Sequence, residues 1–166
     1  MRISPAGIEL IQEFEKCRLE IYQDQAGFST VGWGHKLTPS ELSSGKIVIA
    51  NLVVRCRPSI TQLHADALFR QDLYGFEACV NETVSVDLLQ RQFDALVSLA
   101  YNIGSGAFAG STLLKRLNQK QFDIIPDQIR RWKYTGAKVS NGLVKRREAE
   151  VKLWSGFIEN LETKGE

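Results

Sequence analysis

The sequence predicts an α+β fold: a small N-terminal lobe with a short antiparallel sheet, a long connecting helix, and an all-helical C-terminal lobe. Three observations carry this. A capped amphipathic helix opens the chain. The β-favouring residues Leu19, Ile21, Phe28, Val31 and Trp33 cluster between positions 18 and 34. An apolar period close to 3.6 takes over from Thr61. At 166 residues the chain has the size of one domain. Within it the approximate boundaries are 1–60 for the β-containing lobe, 61–80 for the connecting helix, 81–156 for the helical lobe and 157–166 for a C-terminal tail.

The first helix is expected from Ser4 to about Phe14, with Ser4 as N-cap, Pro5 at the first helical position, and Ile3 and Ile8 spaced as a hydrophobic staple. Ile8, Ile11 and Phe14 form its apolar stripe, so Glu15 falls where the helix ends. Asp24 to Gly27 supplies a turn between two extended runs, giving a hairpin or a three-stranded sheet. Thr38-Pro39-Ser40-Glu41 has the capping-box pattern of a short helix. The β-branched run Ile47 to Val54 has no assignable placement. Phe69, Leu73, Phe76 and Val80 mark the connecting helix, capped by Thr61. Leu89, Phe93, Leu96, Ala100 and Ile103 mark the next, which stops at Gly104 as a left-handed C-terminal residue. Shorter helices are expected over Ser111–Asn118, about Ile124–Tyr134 and about Leu143–Trp154, with Gly136, Gly142 and Gly156 as breaks.

Composition excludes several classes. With 43% hydrophobic and 24% charged residues the chain is neither disordered nor fibrous. Its longest apolar run, Ile47–Val54, falls far short of the roughly 20 residues that cross a bilayer, so no export signal or stable membrane insertion is expected. Three cysteines, Cys17, Cys56 and Cys79, are too few and scattered for a disulfide scaffold and fit synthesis in a reducing cytosol. The net charge of +2 hides an asymmetry: residues 1–35 carry three basic and five acidic side chains, whereas residues 115–152 carry eleven basic and four acidic, a net +7. Such a block steers a protein toward an acidic polymer or surface, or is simply a solvated helical face. Aromatic residues are not interleaved with the charge, so nucleic acid is not the expected partner.

Glu15 at a helix end, Asp24 nine residues on at a turn, and Thr30 six residues further in a strand place two carboxylates and a hydroxyl on one compact unit. Cleavage of a glycosidic bond needs this chemistry: one carboxylic acid to protonate the leaving oxygen and one carboxylate to direct water or stabilise the transition state. A Glu beside Phe14 and Ile21 and an Asp on a solvated turn would meet different environments, as the two roles require.

The order of residues adds to the spacing. Phe14-Glu15-Lys16-Cys17-Arg18-Leu19, with Tyr22, Asp24, Gly27, Thr30, Val31, Gly32, Gly34 and His35, resembles the active-site segment of phage-type lysozymes, the T4- and P22-like endolysins. The resemblance continues through Gln71-Asp72-Leu73, Gln92 to Ser98, Tyr101-Asn102-Ile103-Gly104, Ser111 to Leu114, Arg131-Trp132, and Gly142-Leu143-Val144 with Arg146, Arg147 and Glu150. It implies a lysozyme-like fold and a cofactor-free, monomeric muramidase that hydrolyses the β-1,4 bond between N-acetylmuramic acid and N-acetylglucosamine of Gram-negative peptidoglycan, lysing the host. Glu15 would then be the general acid, Asp24 would orient or activate water, and Thr30 would help hold it. The resemblance also implies inversion, with carboxyl groups roughly 6.5 to 9.5 Å apart. Asn102 matches a position that lines the saccharide cleft from the opposite lobe. Synthesis in the host cytoplasm and passage to the periplasm through a holin lesion would follow. The segment from Lys36 to Ser59 departs from the family pattern.

Other readings stand beside these. Trp33 is expected either to stack on a sugar ring or to pack between lobes. His35 and Asp72 are expected to form a structural ion pair. Arg146 and Arg147 meet muropeptide carboxylates, reach toward Glu15, or solvate a helix face. A Cys17–His35 nucleophile lacks an orienting third residue. Cys56, His64 and Cys79 lack zinc-site spacing, and Gly32-Trp33-Gly34 is not a phosphate loop. A catalytically silent peptidoglycan-binding module on the same scaffold is the alternative function.

Overall fold

The computed structural model describes residues 1–24 and 26–156, and the expected C-terminal tail lies outside them. The chain forms two compact units: Ile11–Ala78, and Met1–Leu10 together with the chain from Cys79 onward. Helix α1, Pro5–Phe14, and helix α3, Gln62–Thr83, run from one unit into the other.

In the Ile11–Ala78 unit, strands β1 (Arg18–Gln23), β2 (Ser29–Gly32) and β3 (His35–Lys36) form an antiparallel sheet in that order. Tyr22 pairs with Thr30 and Arg18 with Gly32, with a register shift between them. Val31 pairs with His35, and Thr30 with Lys36. Helix α2, Pro39–Ser44, carries the expected capping box: the Glu41 N–H donates to Thr38 Oγ1, and the Thr38 N–H donates to a Glu41 carboxylate oxygen at 2.8 Å.

The undecided run Ile47–Val54 is a hairpin of β4 (Lys46–Ile49) and β5 (Leu52–Arg55). Its two-residue turn, Ala50-Asn51, has positive φ at both positions, 48° and 69°, the geometry whose twist suits a hairpin. Gln71 of α3 clamps the tip: its Oε1 accepts the Ala50 N–H and its Nε2 donates to the Val48 carbonyl, both at 3.0 Å. Ile47, Ile49 and Val54 join Val31, Cys56, Ile60, Ala65 and Leu68 in this unit's core.

In the other unit α4, Gln90–Ile103, is the central element, with every residue from Phe93 to Ala100 buried. Asp94 is held in that apolar setting by the Ser4 N–H at 3.0 Å and by Gln90 Nε2 at 2.8 Å. Gly7 permits this approach of α1, because a Cβ there would stand 2.9 Å from the Asp94 carboxyl carbon. Gly104 ends α4 with φ 89° and ψ 146° rather than in the left-handed helical region, because the chain re-enters a short helix at once, α5, Ser105–Ala109. Ser111 caps α6 (Thr112–Asn118) through the Leu114 N–H at 3.0 Å. A turn of 3-10 helix leads into α7, Ile125–Arg130.

The helix expected to reach Tyr134 stops at Arg130, and a hairpin of β6 (Tyr134–Thr135) and β7 (Lys138–Val139) follows, its tip at Gly136 with φ 59°. Helix α8, Asn141–Ser155, starts two residues earlier than expected because Ser140 caps it, and it ends at left-handed Gly156. It packs on α4 and α7. No helix among the described residues is long and apolar enough to cross a membrane.

Candidate active site

Glu15 takes the position just past α1, its N–H still donating to the Ile11 carbonyl at 3.1 Å, and it is half-buried. The chain then turns into β1, whose far end presents Asp24.

Asp24 closes the β1–β2 connection. Its Oδ1 accepts the backbone N–H groups of Phe28 at 2.8 Å and Ala26 at 2.9 Å, while its Oδ2 lies 3.7 Å from Lys36 Nζ. The Phe28 N–H, above all, holds the carboxyl below its ordinary range; desolvation opposes this, and the Ala26 N–H and Lys36 reinforce it. These donors favour the ionised form of Asp24. Backbone donors occupy one of its oxygens, and the other is turned toward the exposed cation of Lys36.

Thr30 sits on β2, 2% exposed, and its hydroxyl donates to the Phe28 carbonyl at 3.0 Å. That fixes the proton and leaves the oxygen's lone pairs as acceptors. Phe28 thus holds both residues, Asp24 through its N–H and Thr30 through its carbonyl.

Tyr22, opposite Thr30 in the ladder, reports the field at this end of the sheet. Burial raises its phenol, the charge of Glu15 raises it further, Arg18 over its ring at 4.7 Å works the other way, and Asp24 raises it again. Both carboxylates are therefore felt at one phenol. Tyr22 belongs to the motif, and neither its residue type nor its spacing signals this position.

Trp33 is half-buried. Its indole N–H donates to Asp66 Oδ1 at 2.7 Å, and its ring is tilted 40° against Phe69 with centroids 6.0 Å apart. Gln62 also donates to Asp66 Oδ1, at 2.8 Å, and lies 3.7 Å from Cys17 Sγ. Burial pushes the Cys17 thiol up; Gln62 lowers it and Asp66 raises it further, the reverse of what a nucleophilic thiolate needs.

The imidazole that would have served Cys17 is engaged elsewhere. His35 Nδ1 lies 3.0 Å from both carboxylate oxygens of Asp72, and its Nε2 lies 3.5 Å from Glu41. Burial lowers the His35 pKa, but the two carboxylates outweigh it and the net shift is upward. The expected pair is present with a second acid added, since Glu41 serves both the α2 cap and His35. Burial opposes ionisation of Glu41, yet the Thr38 donors and His35 bring it below its usual range.

Glu15, Asp24, Thr30 and Trp33 all fall in the Ile11–Ala78 unit, and Asn102 falls in the other, exposed near the end of α4. Asn102 Oδ1 accepts from Arg147 Nη2 at 2.8 Å. Arg146 and Arg147 are not a solvated face. Both are buried on α8 with Glu150, Arg147 Nε lying 2.9 Å from Glu150 Oε2, and Ser98 donates to Glu150 Oε1 at 2.7 Å. Arg130 is likewise committed, to Glu148 at 2.9 Å and Asp127 at 3.0 Å. Part of the basic block is therefore spent inside the fold. Among the described residues no group of three or more His, Cys, Asp or Glu could hold a metal ion.

Known proteins share this fold. The solved structure of a P22 lysozyme point mutant superposes with a TM-score of 0.75 at 36% identity, covering 93% of this chain and 99% of that one. The muramidase domain of SpmX from Asticaccaulis excentricus gives 0.75 at 34% identity, covering 92% and 97%. The fold is the lysozyme-like α+β class. The phage lysozyme family model matches residues 12–150. The endolysin of Bacillus phage B103 is 40% identical over 156 residues, 93% of this chain, and the chain spans 54% of that relative's length. The chain belongs to the phage lysozyme family.

Proposed function

We propose that this chain is a phage endolysin acting as a muramidase, which cleaves the β-1,4 bond between N-acetylmuramic acid and N-acetylglucosamine of peptidoglycan. The observation that carries the reading is the unequal treatment of two carboxylates on one unit. Asp24 is locked by backbone donors and kept ionised, whereas Glu15 sits half-buried at a helix end. The likeness to the muramidase domain of SpmX and to the B103 endolysin supports it.

In this mechanism Glu15 donates its proton to the bridging glycosidic oxygen as the bond from the anomeric carbon to that oxygen breaks. Water attacks the anomeric carbon from the other face and gives its proton to Asp24 Oδ2, the oxygen not taken by backbone. Thr30, whose own proton is held by Phe28, accepts a hydrogen bond from that water and fixes its position. One displacement inverts the anomeric configuration and requires carboxyl groups roughly 6.5 to 9.5 Å apart. Asn102 and Trp33 bind the saccharide. The enzyme works as a monomer without cofactor, is made in the host cytoplasm, and reaches the wall through a holin lesion.

The test is turbidity of outer-membrane-permeabilised Gram-negative cells, combined with NMR of the first-formed product anomer. Clearing with an α-anomeric product supports the reading. No release of reducing ends from purified sacculi overturns it.

A further inference from the structure

Seven polar or charged residues are buried in the described chain, and four of them, Ser98, Arg146, Arg147 and Glu150, meet between α4 and α8. Two cations face one carboxylate there: Arg147 reaches Glu150 at 2.9 and 3.2 Å, and Arg146 reaches it at 3.4 Å. Such clusters are weak stabilisers, because apolar residues of similar volume commonly do as well. Arg147 is the member that contacts an exposed side chain. Its side chain is 1% exposed, yet its Nη2 extends to the exposed Asn102, one helical turn beyond Ser98 on α4.

The chemistry of this contact fixes the amide. A guanidinium has donors and no acceptor, so the Asn102 atom facing it must be the carbonyl oxygen. Burial brings Arg147 down to about 10, which leaves it protonated near neutral pH and able to hold that oxygen. The Asn102 NH2 is then the group turned to a ligand. We infer that Arg147 is a positioning residue that pins Asn102 with its oxygen inward, so that this side chain recognises the glycan only as a donor, to a carbonyl or hydroxyl oxygen. The inference rests on the proposed contact of Asn102 with saccharide and deepens it. It states which atoms of the sugar are read: the acetamido carbonyl or a ring hydroxyl, and not a donor group.

Three variants test this on neutral N-acetylated chito-oligosaccharide and on its de-N-acetylated counterpart, with kcat and KM on sacculi and the melting temperature recorded for each. Asn102→Asp keeps the size and the partner of Arg147, so it should melt at or above the parent. It removes the outward donors, so Kd for the N-acetylated oligosaccharide should rise about tenfold, the scale of one lost hydrogen bond, with KM rising and kcat held. Asn102→Ala should weaken binding as much. Arg147→Lys, which keeps one charged donor, should fall between parent and Asn102→Ala in KM. A penalty confined to the N-acetylated probe assigns the acetamido carbonyl; an equal penalty on both assigns a hydroxyl. If Asn102→Ala weakens binding and Asn102→Asp does not, the oxygen faces the sugar and the inference fails. If Asn102→Ala leaves binding unchanged, the proposed saccharide contact itself fails. Because Asn102→Asp leaves the buried cluster intact, the test survives an Arg147 variant that does not fold.

Discussion

The backbone of Phe28 joins Asp24 to Thr30: its N–H donates to Asp24 Oδ1 at 2.8 Å and its carbonyl accepts the Thr30 hydroxyl at 3.0 Å. A turn residue that makes no sequence motif of its own thus sets the spacing of the two groups proposed to handle water. Asp24→Asn retains an oxygen for the Phe28 and Ala26 N–H groups but cannot take a proton. It should lose about 10² to 10⁴ in kcat with little change in melting temperature. Steady-state turnover of sacculi together with a thermal melt checks both halves.

Thr30→Val is nearly isosteric and removes only the hydroxyl from a buried site. Losing its hydrogen bond to the Phe28 carbonyl should cost about 1 kcal/mol in denaturant unfolding. Losing the water acceptor should lower kcat by about tenfold or more, and Thr30→Ser should restore most of it. Equal turnover of Thr30→Val and the parent would remove the hydroxyl from the mechanism.

The pair of His35 with Asp72 sets a pH dependence of stability. Because the folded His35 pKa is raised, its contribution is fully present below the unfolded value of about 6.5 and is lost as pH rises through the higher folded value. Asp72→Asn should therefore cost about 2 kcal/mol near pH 5, and the gap to the parent should close on the alkaline side. Urea unfolding of both proteins from pH 5 to 9 measures this. A constant gap would mean that Asp72 acts through packing alone, and Glu41 should preserve part of the His35 shift in the variant.

At the β4–β5 tip Ala50 adopts a positive φ that L-residues with a Cβ resist, whereas glycine takes it freely. Ala50→Gly should stabilise the protein by about 0.5 kcal/mol, the relief of strain exceeding the entropy cost of the glycine. Gln71→Ala, which removes both hydrogen bonds of the tip, should cost about 1 to 2 kcal/mol and speed amide exchange at Ala50. Unfolding curves for the two variants should move in opposite directions.

Where the sequence carried a cap or a long period, the structure was legible in it: Ser4 before α1, Thr38 and Glu41 around α2, Thr61 before α3, and the apolar stripe of α4. The β4–β5 hairpin was not. Its apolar residues do not alternate with polar ones, and its turn is Ala-Asn rather than the Asn-Gly that marks such turns. Two-residue strands such as β6 and β7 are too short to show a period at all. The residues of the proposed site were visible as a spacing, but their supports were not. Those supports are backbone groups of Phe28, and Ser98 and Glu150, two residues 52 positions apart in the chain on different helices. Arg146 and Arg147 were ambiguous because a charged helix face looks the same in sequence whether it meets water or a buried acid.

The central claim, that Glu15 delivers the proton that breaks the glycosidic bond, is tested most directly by Glu15→Gln. Lysis of permeabilised cells and reducing-end release from sacculi should be measured beside the parent at equal folded concentration. The account predicts a fall of about 10² to 10⁴ in turnover with an unchanged melting temperature and retained binding to sacculi. Clearance at the parental rate by the folded variant would contradict it.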